Sequence, residues 1–343
     1  MSVVSSSVQA AFGDYWNRFA IRSFRFSLEW RTPISLFPFK GSALRGALGW
    51  ALHSLVCSDS HLNQCVQCPE RRTCPYALLY ESAVVPGERP ANLRDVPKPL
   101  VLVPPLGEQC DFVPGDTWTF TAVLVGRAVH LLPALAAATA LLGEKGFQSD
   151  NRGAFVVHSV TQLQPVDAVT TVWGTIPDYL GFYQTTSPAG LENLPAEPLG
   201  DVPIVLSGAT AVQMSFYTPL RLEHMDSLCR RAPAFAVLME NLCQRLDLLG
   251  SLYGGISMPD RSDLLAWSSN VKTVGDGMSW HDWDRNSSRH GKYTFGGLTG
   301  PVIYQGQDLT PFLPFLHAGA LLGVGKGTPM GMGRFVISLP EQE

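Results

Sequence analysis

The segment from Gly323 to Gly333 restricts the fold of this chain most strongly, because it contains five glycines in eleven residues, G-V-G-K-G-T-P-M-G-M-G. Glycine adds no side-chain area to a core and loses more backbone entropy on folding than other residues. Such a density indicates a loop whose backbone approaches another group closely. Lys326 within the loop favours an anion such as a phosphate. The alternative is a glycine-rich hairpin that binds nothing.

Neither common nucleotide-binding loop fits this segment. A Walker A loop requires G-x4-G-K-[ST] at the start of a helix, and a dinucleotide fingerprint requires a βαβ unit. Here the apolar run from Phe335 to Ile337 follows and predicts a strand.

Composition and charge limit the class of protein. The 343 residues are 45% hydrophobic and carry a net charge of −4. That length and apolar content predict two domains. The negative charge argues against a non-specific nucleic-acid coat protein but is compatible with a specific RNA binder whose charges are segregated. Residues 1–50 have an excess of four positive charges, because they contain Arg18, Arg22, Arg25, Arg31, Lys40 and Arg45 against Asp14 and Glu29.

No targeting or membrane segment is evident. Residues 1–9 lack the basic and apolar regions of a signal peptide. The longest apolar run, residues 131–142, is too short and too rich in alanine to span a bilayer. We therefore expect a cytoplasmic protein without a membrane partner, in which the cysteines stay reduced.

Hydrophobic periodicity predicts an α+β fold. Strands are predicted at 22–30, 117–125, 154–163 and 211–216, and helices at 42–56, 131–145, 235–249 and 312–322. Ser42 is the predicted N-cap of the first helix, in which we expect another group to pack closely against Gly46 or Gly49. Segments rich in proline or glycine, 86–105 and 174–203, are predicted linkers.

The first half follows the β-α-β-β-α-β order of a ferredoxin-like domain, and the second half repeats a similar order of strands and helices. We predict two tandem ferredoxin-like (RRM-like) domains. The first covers residues 1–173 with a cysteine-rich, zinc-binding insertion at 57–80. The second covers residues 174–343 and contains the glycine-rich loop.

Four cysteines within 18 residues form a candidate metal site: Cys57, Cys65, Cys68 and Cys74. The central C-x2-C can place two sulfurs on one ion, and the outer cysteines can complete a tetrahedron. Such a zinc site is structural and would stabilise a loop with little apolar content. His61 could replace one thiol. The alternative is four reduced surface thiols.

Several motifs occur in one order along the chain. They are F-K-G-S-A-L-R-G-A-L-G from Phe39, C-P-Y from Cys74, T-P-L-R-L from Thr218, W-D-R-N-S-S-R-H from Trp283, G-G-L-T-G from Gly296 and the glycine-rich loop. In series they resemble the CRISPR repeat-processing endoribonucleases of the RAMP superfamily. The resemblance implies a metal-independent ribonuclease that matures guide RNA from CRISPR repeats and often retains the product's 3′ hairpin. It also implies other CRISPR effector subunits as partners.

Metal-free RNA cleavage needs proton transfer to and from oxygen, and stabilisation of charge on phosphorus. On the 42–56 helix Arg45, Gly49 and His53 are four residues apart and share one face. The resemblance implies that a histidine on or just after this helix is catalytic. His53 is therefore the leading general acid or base, with Arg45 and Lys40 as charge stabilisers and His61 as the second candidate. A cap or core role is the alternative for His53.

The candidate RNA-binding residues lie in the second half. Loops with mixed Arg, His and Lys contact phosphates; an ordinary solvated loop is the alternative. These candidates are Arg285, Arg289, His290 and Lys292 in one segment, and Gly325, Lys326, Thr328, Gly331 and Gly333 in the glycine-rich loop.

The sequence thus predicts an endoribonuclease acting by 2′-OH attack, with a 2′,3′-cyclic phosphate and a 5′-OH as products and no catalytic metal. The alternatives are a non-catalytic RAMP subunit that binds guide RNA, and a zinc-stabilised scaffold without RNA.

Overall fold

The structure is a computed structural model that describes residues 3–57, 65, 67–81, 96–107, 109–148, 153–164, 169–199, 206, 208–287 and 291–340, with the side chains of 3–10 and 283–295 left out. The chain forms two compact units. The first unit comprises Ala20–Glu197 with Leu252–Gly255. The second comprises Met1–Phe19, which includes helix α1 (Val3–Arg18), together with Pro198–Ser251 and Ile256–Glu343.

The predicted boundary after residue 173 differs from this division in two respects. First, α1 packs with the second unit, where Trp16 meets the ring of Phe315 edge to face at 4.7 Å and the Tyr15 hydroxyl donates to the Leu246 carbonyl at 2.8 Å. Second, the first unit extends to Glu197. Its strand residue Arg22 donates to the Leu194 carbonyl at 2.7 Å and therefore holds that segment.

The first unit is a five-stranded antiparallel sheet with helices. Its elements are β1 (Ile21–Trp30), β2 (Ile34–Ser35), α2 (Gly41–Val56), a π-helical turn (Ala77–Glu81), β3 (Leu100–Val103), β4 (Asp111–Phe112), β5 (Thr117–Val125), a 3-10 turn (Gly126–Leu131), α3 (Leu132–Lys145), β6 (Phe155–Leu163), β7 (Val169–Trp173), α4 (Tyr179–Thr185) and a 3-10 turn (Leu191–Asn193). The sheet order is β3-β5-β1-β6-β7, and β2 pairs with β4 separately.

The core of the first unit follows from the alternation in its strands. Phe24, Phe26 and Leu28 of β1 are buried, while Arg25 between them is exposed. The rings of Phe26 and Phe120 stack with centroids 4.7 Å apart, because their residues are directly opposite in β1 and β5. The predicted strands and helices of this unit are confirmed to within about a residue.

The predicted linker at 86–105 is wrong at its end, because β3 lies there with Leu100 and Leu102 fully buried. Residues 82–95 of that linker lie outside the described residues. The four apolar residues of β3 are too few for a periodic signal, and the prolines around them suggested a loop.

The second unit repeats the order of elements. It contains β8 (Ala211–Leu220), β9 (Glu223–His224), β10 (Ser227–Leu228), α5 (Phe235–Leu249), a π-helical turn (Gly250–Gly254) shared with the first unit, α6 (Ser262–Ser268), β11 (Lys272–Asp276), β12 (Ser279–Ser287), β13 (Gly291–Gln305), a 3-10 turn (Thr310–Phe312), α7 (Leu313–Leu322), a 3-10 turn (Thr328–Met330) and β14 (Phe335–Ser338). The sheet order is β11-β13-β8-β14, and β12 pairs with β13.

The two sheets are alike in topology. In each unit a first strand is followed by a helix, a second and a third strand, another helix and a fourth strand. The four strands are β1, β3, β5 and β6 in the first unit, and β8, β11, β13 and β14 in the second. Both sheets order them second, third, first, fourth. The protein is therefore a mixed α+β molecule built from a repeated antiparallel arrangement.

Among the described residues one stretch, Gly126–Lys145, is long and apolar enough to cross a membrane by length and composition. Within it 72% of the apolar window is buried in the protein. Its helical part, α3, packs against α2 and β6 as a core helix.

Candidate functional site

Helix α2 presents two faces, as its spacing predicts. Leu44, Leu48 and Leu52 are at most 1% exposed and belong to the core of the first unit. Arg45 and His53 lie on another face and are partly exposed. The Cys57 amide donates to the His53 carbonyl at 2.9 Å, so the helix continues to the residue that begins the cysteine-rich segment.

The start of α2 differs from the prediction. The helix begins at Gly41, and Lys40 rather than Ser42 occupies the N-cap position, without a side-chain capping bond. The side chain of Lys40 is 1% exposed, and its ammonium group donates to the carbonyls of Gly107 at 2.9 Å and Pro38 at 3.3 Å. Lys40 can contact a phosphate only if its ammonium group gives up these two hydrogen bonds to carbonyl oxygens.

Two tyrosines cover the face of α2 that carries Arg45 and His53. The ring of Tyr76 meets the His53 imidazole edge to face, with centroids 4.8 Å apart and planes at 82°. Tyr76 and Tyr80 stack at 5.5 Å and 5°. The Arg45 guanidinium carbon lies 4.4 Å from the centroid of Tyr80. Neither tyrosine was predicted to belong to the site, although their spacing of four residues in C-P-Y-A-L-L-Y predicts a shared helical face.

Gly49 allows this packing. A Cβ added at Gly49 would lie 2.7 Å from the Tyr80 ring, whereas one at Gly46 would meet nothing within 4 Å. The expectation that a group packs closely against one of these glycines is therefore confirmed for Gly49.

The two glycines make a matched test. Gly46→Ala should raise the free energy of unfolding by about 1 kcal/mol, because alanine favours the helix. Gly49→Ala has the same helical gain but forces the partly buried Tyr80 ring to move, which costs about 1–3 kcal/mol. Chemical denaturation of both variants measures the difference. Equal stabilisation by both substitutions would contradict the packing of Tyr80 on Gly49.

The four cysteines of the candidate zinc site lie in the described residues, and all are partly buried thiols. The Cys68 amide donates to the Cys65 carbonyl at 3.3 Å, which makes C-x2-C a turn. Burial, with the Glu81 carboxylate second, raises the pKa of the Cys65 thiol, and Cys74, Cys57 and Cys68 add to the rise. In the part of the chain that is described, however, no three His, Cys, Asp or Glu side chains are close enough to hold a metal ion. His61 lies outside the described residues.

The glycine-rich loop connects α7 to β14 and has a defined backbone. Its five glycines have φ between 66° and 86°, a region that side chains disfavour. The Val324 amide donates to the Gly333 carbonyl at 3.0 Å, and the Gly333 amide to the Pro219 carbonyl at 2.9 Å. An added Cβ would overlap the Arg221 carbonyl oxygen at Gly325 and the Val324 carbonyl oxygen at Gly333. The predicted close approach is confirmed, and the group approached is the protein's own backbone.

The other loop candidates differ in exposure. Lys326 is exposed, and its ammonium group pairs with the Glu223 carboxylate. Its amide donates to the Arg221 carbonyl at 2.8 Å. Thr328 is 1% exposed, and Gly331 is also buried. Within the loop, Lys326 is therefore the predicted residue whose side chain is accessible to an anion.

The remaining predicted RNA contacts belong to the β12–β13 hairpin. Arg285 pairs with Tyr293, and Lys292 pairs with Asn286, in the antiparallel register. Arg289 and His290 lie outside the described residues, as do the side chains of Arg285 and Lys292.

At the described base of the same hairpin, Trp280 contacts the cation of Arg230, which no sequence pattern indicated. The Arg230 guanidinium carbon lies 3.8 Å from the centroid of Trp280, and the Trp280 indole donates to Asp282 at 2.7 Å.

Two protein families match this chain, and each match lies almost entirely in one of the two units. Residues 214–335, almost all in the second unit, match the family described as CRISPR-associated endoribonuclease Cas6. This segment is similar to a Cas6 endoribonuclease domain. The resemblance to CRISPR repeat-processing endoribonucleases of the RAMP superfamily is thereby confirmed. Residues 19–179, almost all in the first unit, match a family described as an N-terminal domain. No curated protein matches the sequence.

Solved structures share the fold. A partial Cas6-RT-Cas1–Cas2 complex aligns with a TM-score of 0.57 and 12% identity, over 94% of this chain and 46% of that one. The Cas6-RT-Cas1–Cas2 complex aligns with the same score and identity over 94% and 29%. A Cas6 product complex aligns with a TM-score of 0.52 and 14% identity over 93% and 100%. The chain therefore spans about half or less of the first two and the whole of the third.

Proposed function

We propose that this protein is an endoribonuclease that recognises CRISPR repeat RNA and cleaves it to guide RNAs without a catalytic metal. The single observation that carries the proposal is the Cas6 endoribonuclease match at residues 214–335. The 2′-hydroxyl attacks the adjacent phosphorus, the bond to the 5′-oxygen breaks, and the products end in a 2′,3′-cyclic phosphate and a 5′-OH. We further propose that the protein retains the 3′ hairpin of its product.

His53 moves the proton in this proposal, since an imidazole can both accept and donate a proton through its ring nitrogens, and this one is partly exposed at the last turn of α2. Arg45 stabilises charge on the phosphorane, because a guanidinium offers several donors to phosphate oxygens. Lys40 assists only if its ammonium group leaves the carbonyls of Gly107 and Pro38.

RNA binding is assigned to the second unit. Lys326 and the β12–β13 hairpin residues Arg285, Arg289, His290 and Lys292 supply cations for phosphate contacts. Gly325, Thr328, Gly331 and Gly333 keep the loop in the conformation that presents Lys326.

A non-catalytic RAMP subunit that binds guide RNA is the second candidate. One observation favours it: His53 and Arg45 lie outside the residues that match the Cas6 family. In that case the protein binds repeat RNA with an affinity that depends on salt, and it leaves the RNA intact.

We infer that both units are ferredoxin-like domains, because the β-α-β-β-α-β order and the strand order recur in each. Repeat RNA and other CRISPR subunits are the proposed partners, and the cytoplasm is the proposed location. Similar folds occur in a Cas6 product complex and in a Cas6-RT-Cas1–Cas2 complex, which supports these partners.

We also propose that Cys57, Cys65, Cys68 and Cys74 bind structural zinc once their sulfurs close on one ion. The thiolate donor set and the C-x2-C turn support this. Metal analysis of the purified protein should give about one zinc per chain. Cys68→Ser should lose the zinc. Cys110→Ser, which replaces a cysteine of the same unit outside this group of four, should retain it. Equal metal content in both variants, or none in the wild type, would refute the site.

The activity is tested by incubating the protein with its cognate repeat RNA in EDTA. A single cut within the repeat is the expected result. Tight binding of intact RNA would favour the non-catalytic subunit, and the absence of both cutting and binding would exclude both candidates.

A further inference from the structure

The two tyrosines on α2 extend from one candidate catalytic residue to the other. We call Tyr76 and Tyr80 the tyrosine wall. Tyr76 touches the His53 ring at the last turn of the helix, and Tyr80 lies under the Arg45 guanidinium in the first half of the helix. Since the two tyrosine rings stack on each other, the four side chains form one continuous row.

The tyrosine wall is held in place by contacts on the side away from His53 and Arg45. Ala77 and Leu79 on the same π-helical turn are 2% and 0% exposed, which anchors the segment in the core. Tyr80 fits against the bare backbone of Gly49. The Tyr76 hydroxyl donates to the Glu81 carboxylate at 3.2 Å, so this group is engaged outside the contact with His53.

A histidine near a helix end has several side-chain rotamers, and its second torsion is broad. Proton transfer requires the ring nitrogen in one place relative to the reacting oxygen. An aromatic ring in edge-to-face contact restricts the imidazole plane, because other plane angles lose the favourable quadrupole contact.

We propose that the tyrosine wall is a positioning element of the active site, in which the ring of Tyr76, and not its hydroxyl, holds the His53 imidazole. The stacked Tyr80 ring gives the Arg45 guanidinium a fixed surface at the other end. This inference rests on the proposed function, because it gives the wall a role in RNA cleavage.

The test compares Tyr76→Phe with Tyr76→Leu. Tyr76→Leu removes the ring and should lower the single-turnover cleavage rate by about 100-fold, with unchanged affinity for repeat RNA. Tyr76→Phe keeps the ring and should restore the rate. Tyr179→Leu is the matched control, because Tyr179 is a partly buried tyrosine that packs on the same core. It should cleave at the wild-type rate.

A second measurement needs no RNA. In NMR spectra the imidazole proton resonances of His53 can be assigned by their loss in His53→Ala. The ring current of Tyr76 shifts these resonances, because the two rings are in contact. They should move in Tyr76→Leu and stay in place in Tyr179→Leu. If Tyr76→Leu fails to fold, Tyr76→Met removes the ring with a flexible apolar side chain and carries the same expectation.

The outcomes separate the two claims. Unchanged His53 resonances in Tyr76→Leu, or a Tyr76→Phe variant as slow as Tyr76→Leu, would overturn the positioning role while wild-type cleavage stood. If the His53 resonances move in Tyr76→Leu but the wild-type protein never cleaves repeat RNA, the proposed function is overturned, and the catalytic role of the wall with it.

Discussion

His53→Ala is expected to slow single-turnover cleavage of repeat RNA by about 100- to 10,000-fold, which is the contribution of a positioned general acid or base. The free energy of unfolding should change little, because His53 is partly exposed at the end of α2 and outside its buried stripe. RNA affinity should also be retained, since the proposed binding cations belong to the second unit. Rate and affinity are measured on the same RNA in EDTA.

His158→Ala is the matched control. His158 is an exposed histidine of the same unit, and its Nε2 atom lies 2.7 Å from a Glu29 carboxylate oxygen. Its replacement should leave the cleavage rate unchanged. A His53→Ala variant that cleaves at the wild-type rate would transfer the proton-transfer role to another histidine, His61 or His290.

Gly333→Ala should lower the free energy of unfolding by about 3 kcal/mol. A left-handed alanine costs about 1–2 kcal/mol, and the overlap of its Cβ with the Val324 carbonyl adds about 1–3 kcal/mol. In a unit of this size the melting temperature should fall by about 6–12 °C. Thermal unfolding followed by circular dichroism measures the shift.

Gly208→Ala is the control for the cost of placing an alanine at a positive φ. Gly208 belongs to the same unit and has φ of 76°, but an added Cβ there meets nothing within 4 Å. Its loss of stability should be limited to about 1–2 kcal/mol. Equal losses in the two variants would show that the close approach at Gly333 contributes nothing.

Much of the fold follows from local pattern. The alternation of β1 and the leucine stripe of α2 are properties of adjacent residues, so periodicity predicts both. The glycine density of 323–333 likewise predicts a backbone that approaches another group closely, and the structure has such approaches at Gly325 and Gly333.

The differences between the predicted boundary and the two units arise where distant contacts decide the structure. Helix α1 is held by aromatic rings such as Trp16, which packs on Phe315 at the far end of the sequence. Residues 191–197 belong to the first unit because Arg22 binds their carbonyls. No local signal reports either contact.

The candidate site likewise has features that local spacing predicts and features that depend on distant contacts. Spacing on α2 predicts that Arg45 and His53 share a face, and they do. The contact between His53 and Tyr76 depends on how the cysteine-rich segment returns to the helix, which spacing does not determine. The burial of Lys40 is also invisible in sequence, because a lysine before a helix usually lies in solvent.

The RNA's own 2′-hydroxyl is the proposed nucleophile, and one substitution in the substrate tests this assignment. Repeat RNA with a single 2′-deoxynucleotide at the cleavage position is incubated with wild-type protein in EDTA, beside an RNA with the deoxynucleotide one position away. We predict that the first RNA is bound but not cut, and that the second is cut to a 2′,3′-cyclic phosphate. Cleavage of the first RNA at the same position would contradict the account, because a nucleophile other than the 2′-hydroxyl would then be at work.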